Sequence, residues 1–246
     1  MTEYLSAAEA AYERGELEDA LRVIKLHLKE AGDCGRGWEQ LGLIQGTRGR
    51  FAISVSALER ASLFVPLKPI SRVCLGYGYG KIGRTELARD LLSDLIDNDQ
   101  MTTELLLQIA TALDSIDQPG DAMRACRKAT ERDPSTAQSY YDMGHYAARC
   151  GYPAHLIEGL ARKAISLDPQ NVCYRIGIAG MLIKQDRKDE AYQFVSGLTL
   201  EQIQEITCEC CLRKVVKLYE AQHDYRRVVL CQQRLLELEL SNTAGE

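Results

Sequence analysis

Three of the chain's nine cysteines fall within four positions of the stretch ITCECCLRK, residues 206–214: Cys208, Cys210 and Cys211. Thiolates bind soft metals and exchange disulfides, so the cluster raises both kinds of chemistry. A tetrahedral zinc site asks for paired ligands such as C-x2-C with a second pair returning elsewhere, and only Cys231 and His223 stand near enough in sequence to supply one. On a helix, Cys208 and Cys211 share one side while Cys210 projects about 200° from Cys208, so the three do not converge. The expectation is therefore packing, with no metal and no cofactor; an oxidation-sensitive thiol at Cys210 and a metal site are the alternatives. The other cysteines, Cys34, Cys74, Cys126, Cys150, Cys173 and Cys231, are scattered, and the total is odd. That is the usage of a reducing compartment, and a cytoplasmic location is expected.

Other chemistry is sparse. The four histidines are His27, at a packing place, His155 and His223, at turns, and His145, which has an arginine one turn on at Arg149. His145 with Arg149 could meet a carboxylate or phosphate, or His145 could be a polar residue with no role in catalysis. No paired nucleophile and base, no Gly-rich phosphate loop and no H-E-x-x-H motif is visible, so no enzyme activity is expected. The glycines of GYGYGKIGRTE, 76–86, fall inside a helix and at its turn, without the strand that a phosphate cradle follows.

The elements that position these residues come from a pattern along the whole chain. Its 246 residues, 46% hydrophobic and 26% charged, can bury a substantial core. The formal net charge of −5, with acids and bases intermixed, argues against nucleic-acid binding. No signal peptide is visible, and no apolar run is long enough to insert in a membrane. Small residues recur at one register: Ala8, Gly42, Gly76, Ala110, Gly144 and Ala179, failing only at Val216. A second set, Gly15, Gly49, Gly83, Asp117, Gly151 and Asp186, falls where a first helix should end. Trp38, Leu41, Gly42, Ala57, Ala61 and Pro66 form one unit's signature, and Asp-Pro at 133–134 and 168–169 punctuates others.

These residues resemble the tetratricopeptide repeat (TPR), a 34-residue helix–turn–helix unit reading W-x2-L-G-x2-Y, then A-x3-F, then A and P. The register gives about seven repeats, 1–34, 35–68, 69–102, 103–136, 137–171, 172–208 and 209–242, with a disordered tail at 243–246. The expected fold is all-α, a right-handed solenoid of antiparallel helix pairs. TLEQ at 199–202 reads as a capping box whose helix runs on into the seventh repeat.

The resemblance implies a concave groove lined by the first helix of each pair. Carried over position by position, it assigns a peptide-binding surface to Leu43, Ile70, Val73, Tyr77, Lys81, Leu107, Thr111, Tyr141, His145, Arg149, Ile176, Lys184, Arg213 and Lys217. Acids such as Glu9 and Glu39 would lie at one end, Arg149, Lys184, Arg213 and Lys217 at the other, and an exposed apolar and tyrosine-rich strip between. The two-carboxylate clamp of chaperone adaptors is absent, since Leu5, Glu9, Ile70 and Val73 stand in the corresponding region.

The resemblance thus implies a non-enzymatic adaptor or scaffold whose partner is a protein or peptide. The alternatives are an accessory docking on a filament or large assembly, like kinesin-light-chain repeat proteins, and a secretion-type chaperone. The last helix, RRVVLCQQRLLELEL, is apolar on more than one face, so self-association through it is a further expectation. So is its being covered instead by the lead-in at 200–208.

Overall fold

In the computed structural model the described residues are 2–243, with side chains described for 4–240. The chain forms two compact units, one ending at Pro134 and the other beginning at Ser135. The first contains α1 (Thr2–Glu13), α2 (Leu17–Glu30), α3 (Gly35–Thr47), α4 (Phe51–Ser62), α5 (Pro69–Lys81), α6 (Thr85–Ile96), α7 (Thr103–Asp114) and α8 (Pro119–Arg132). The second contains α9 (Ala137–Arg149), α10 (Ala154–Leu167), α11 (Val172–Lys184), α12 (Lys188–Val195), α13 (Leu200–Gln204), α14 (Glu209–Ala221) and α15 (Tyr225–Thr243). No strand occurs among the described residues. Of the tail expected at 243–246, Thr243 closes α15 and residues 244–246 lie outside the described residues.

Each pair turns in the same way. Gly15, Gly49, Gly83 and Gly151 have φ between 72° and 81°, and Asp117 and Asp186 both have φ of 60°. A left-handed residue after a helix lets its own amide and the following one return to carbonyls of the last turn. The bonds are Gly15 N–H to the Tyr12 carbonyl and Glu16 N–H to the Ala11 carbonyl, both 2.9 Å. The seventh turn, which carries no glycine, uses His223 at φ 57°, with Asp224 N–H reaching the Tyr219 carbonyl at 2.9 Å.

The small residues sit where the two helices of a pair meet. A β-carbon at Gly42 would stand 2.5 Å from Leu58 Cγ, and one at Gly76 would stand 2.7 Å from Leu92. Ala8 and Ala110 are fully buried at equivalent places. Leu58 and Leu92, both fully buried, each contribute roughly 1.5–3 kcal/mol by leaving water.

The expected continuous helix from TLEQ is not formed. Thr199 and Gln202 do make the reciprocal capping box, but α13 ends at Gln204 and α14 starts afresh at Glu209. Ile206 and Thr207, β-branched and poor helix formers, lie in the break, and the Ile206 carbonyl accepts from Arg234 Nε at 3.2 Å. Ile203 and Ile206 are both buried in the core of the second unit.

Candidate protein-binding surface

In the first unit the inner helices pack on one another, α3 against α5 and α5 against α7. That contact covers Leu43 and Val73, which are 8% and 3% exposed. The expectation that they line an exposed strip is corrected: a mid-sized apolar side chain at these places fills the gap between inner helices. Of the others here, Ile70, Lys81 and Thr111 are exposed, while Tyr77 and Leu107 are half-buried. Tyr77 meets the Phe51 ring edge-on at 5.5 Å, and the Lys81 ammonium lies 5.0 Å from its centre. Thr111 donates to the Leu107 carbonyl at 3.1 Å.

The acidic end is also changed. Glu39 is 2% exposed and accepts 2.5 Å and 2.6 Å hydrogen bonds from the Arg36 guanidinium and Lys68 N–H. It staples α3 to the loop before α5 and presents no charge to a ligand. Glu9 is paired with Lys68 at 3.4 Å.

In the second unit Ile176 is 3% exposed and belongs to the core, which corrects its place in the strip for the same reason; α11 and α14 pack together there. What remains on α9, α11 and α14 is the half-buried Tyr141, its ring backed by Tyr174, which is itself only 4% exposed. The Tyr141 and Tyr174 rings lie 4.6 Å apart, and Tyr141 donates at 3.4 Å to the Cys173 carbonyl. Tyr174 donates at 2.8 Å to Gln138 Oε1, whose amide donates at 2.6 Å to Asp142. Burial pushes both tyrosine hydroxyls up to about 12 and raises the Asp142 carboxyl. His145, Arg149, Lys184, Arg213 and Lys217 are all exposed on these helices. Arg213 is held by Glu239 at 2.9 Å and Glu209 at 3.7 Å.

Tyr174 was not among the residues assigned from the repeat register. Gly177, a helical glycine that the pair-crossing rule does not require, marks the Tyr141 side of the contact: a β-carbon there would touch that ring.

The three clustered cysteines do come together. Cys208 is the N-cap of α14, with extended φ −95° and ψ 109°, and so lies outside the helix on which the divergence argument rested. An N-cap side chain swings back over the second and third helical residues, which here are Cys210 and Cys211. All three sulfurs lie within 4.8 Å of one another, with Cys208 and Cys210 at 2.8 Å. The hydrogen bond from Cys210 holds the Cys208 thiol below its ordinary range, while burial pushes Cys211 up to about 12.

On α15, Tyr225, Val229, Leu236 and Leu240 are each at least 61% exposed, and their spacing puts them on one face. The short α13 packs against α15, and a small pocket there is lined by Leu200, Gln204, Leu230 and Arg234. The lead-in therefore covers a different face of the helix and leaves this stripe open.

No protein-family profile and no curated protein sequence matches the chain. Solved structures do. The C-terminal part of a TPR repeat-containing protein from Cytophaga hutchinsonii superposes with TM-score 0.67 at 12% identity, covering 95% of each chain. PilF of Pseudomonas aeruginosa gives 0.60 at 14% identity, over 87% of this chain and 99% of that one. YrrB, described as a TPR protein with an unusual peptide-binding site, gives 0.57 at 20% identity, over 70% and 88%. The chain has the tetratricopeptide-repeat fold, an all-α helix-pair solenoid. At these identities the likeness is one of fold.

Proposed function

We propose that this protein is a non-enzymatic interaction module that holds an acidic peptide or protein segment against α9, α11 and α14. The observation that carries this reading is the half-buried Tyr141 ring, backed by the buried Tyr174, with exposed His145, Arg149, Lys184 and Lys217 on the same three helices. Burial of Leu43, Val73 and Ile176 shortens the apolar strip to exposed Ile70 and half-buried Leu107 in the first unit, which favours charge as the attraction on α9, α11 and α14. A peptide-binding site in YrrB gives the fold a precedent for such use. Any catalysis in the pathway then comes from the partner.

The test is affinity capture with the wild type and a Lys184→Glu/Lys217→Glu variant, each eluate identified by mass spectrometry at low and high salt. A partner held by the wild type, released by salt and lost by the variant at unchanged helicity supports the reading. Equal capture by both overturns it.

A second reading concerns self-association. The stripe of Tyr225, Val229, Leu236 and Leu240 supports contact with another copy through α15. Light scattering after size exclusion should then give a dimer that Leu236→Glu converts to monomer; a wild-type monomer at high concentration removes this reading.

A further inference from the structure

The convergence of Cys208, Cys210 and Cys211 is not used by the binding surface above. We propose that the first turn of α14 is a metal site in which these three thiolates hold one Cu(I) ion.

Geometry comes first. Three sulfurs around one ion at bonds of about 2.3 Å stand about 4 Å apart in a trigonal plane. The observed cluster lies within 4.8 Å, so Cys208 and Cys210, now at 2.8 Å, need separate by only about 1 Å through side-chain rotation. Cys208 and Cys210 are exposed and Cys211 is half-buried, which leaves the ion a path from solvent and a fixed floor.

Ligand number then selects the ion. Among the described residues no other His, Cys, Asp or Glu joins the three sulfurs within that distance. Structural zinc closes its shell with four protein ligands, whereas Cu(I), soft and without a geometric demand for a fourth, is satisfied by three thiolates. On binding, each thiol releases its proton to solvent and the copper stays in its +1 state, so no oxidant or reductant is consumed. The resulting charge of −2 sits on the N-terminus of a 13-residue helix, where unpaired amides and the helix dipole favour negative charge.

The experiment titrates reduced full-length protein, free of oxygen, against the Cu(I) complex of a chromogenic chelator. Wild type should withdraw one equivalent of copper, and a Cys150→Ser/Cys173→Ser control should do the same. Cys208→Ser and Cys210→Ser, at exposed positions that leave the core intact, should each lower the affinity at least tenfold. X-ray absorption of the copper-loaded protein should give three sulfur neighbours. Withdrawal unchanged in the Cys208→Ser/Cys210→Ser double variant, no withdrawal by wild type, or tighter binding of Zn(II) than of Cu(I) would each overturn the assignment.

Discussion

The β-position of Gly177 on α11 lies 2.9 Å from the Tyr141 ring on α9, so the absence of a side chain at one residue sets the place of the other. Alanine at Gly177 gains about 1 kcal/mol of helix propensity but forces the ring aside. Because Tyr141 can swing outward, Gly177→Ala should change stability by less than about 1 kcal/mol while altering the near-ultraviolet tyrosine signal. In a Tyr141→Ala background the same change should stabilise by about 1 kcal/mol more than in the wild type. Urea unfolding of the four proteins checks this, and an identical effect in both backgrounds counts against the contact.

The pair-crossing glycines should separate by their space. At Gly42 a β-carbon would meet Leu58 at 2.5 Å and the Ser54 carbonyl at 3.2 Å, and backbone cannot give way. At Gly144 the nearest atom is Leu160 Cβ at 3.4 Å. Gly42→Ala should therefore destabilise by about 1–3 kcal/mol, and Gly144→Ala should be neutral or stabilise by up to about 1 kcal/mol. Thermal melts of the two single variants decide it.

Glu39 carries the link between α3 and the following loop. Removing its carboxylate leaves the Lys68 amide without its partner, while Arg36, whose side chain is 43% exposed, can turn to water. Glu39→Ala should cost about 1–3 kcal/mol by chemical denaturation, more than an exposed pair would. Glu9→Ala, which breaks an exposed pair, should cost less than about 1 kcal/mol.

Acid should weaken the second unit through Glu158. Hydrogen bonds from Arg187 and then Arg162 lower its carboxyl to about 2 from a usual 4.5. A lowered folded-state value means stabilisation that is present above about pH 4.5 and disappears as pH falls through about 2. Its partners are partly exposed, so solvent screening limits the contribution to about 1 kcal/mol. Glu158→Gln should lose that amount at neutral pH and show a flatter dependence between pH 4.5 and 2.

His27 is 3% exposed, and neither ring nitrogen has a protein hydrogen-bond partner. A buried, unmatched imidazole is unfavourable, so His27→Leu should raise stability by about 1 kcal/mol. A lower melting temperature would count against this account.

Much of the fold was legible because it rests on places where backbones touch or reverse. Gly42 and Gly76 announce close helix crossings, and Gly15, Gly49, Gly83, Asp117, Gly151 and Asp186 announce left-handed turns, since few other residue types suit those conformations. His223 is placed at a turn by the sequence, but its left-handed backbone is not announced by residue type, because a histidine there is tolerated rather than typical. The binding surface was less legible. Leu43, Val73 and Ile176 occupy register positions that can face a ligand or a neighbouring helix, and only packing decides which. The cysteines were misread for a local reason: whether Cys208 is in the helix or caps it turns on a one-residue boundary, and that boundary reverses the side chain's direction.

The short α13, with Ile203 and Ile206 pressed into the core between the sixth and seventh pairs, takes the chain out of its 34-residue rhythm. Repeat arrays are ordinarily modular, open to shortening or extension one unit at a time. This wedge ends that freedom at the C-terminal side: trimming the chain after Leu198 would take away both isoleucines along with the last pair. Any exchange of the seventh repeat for another must carry residues 199–208 with it as a single cassette.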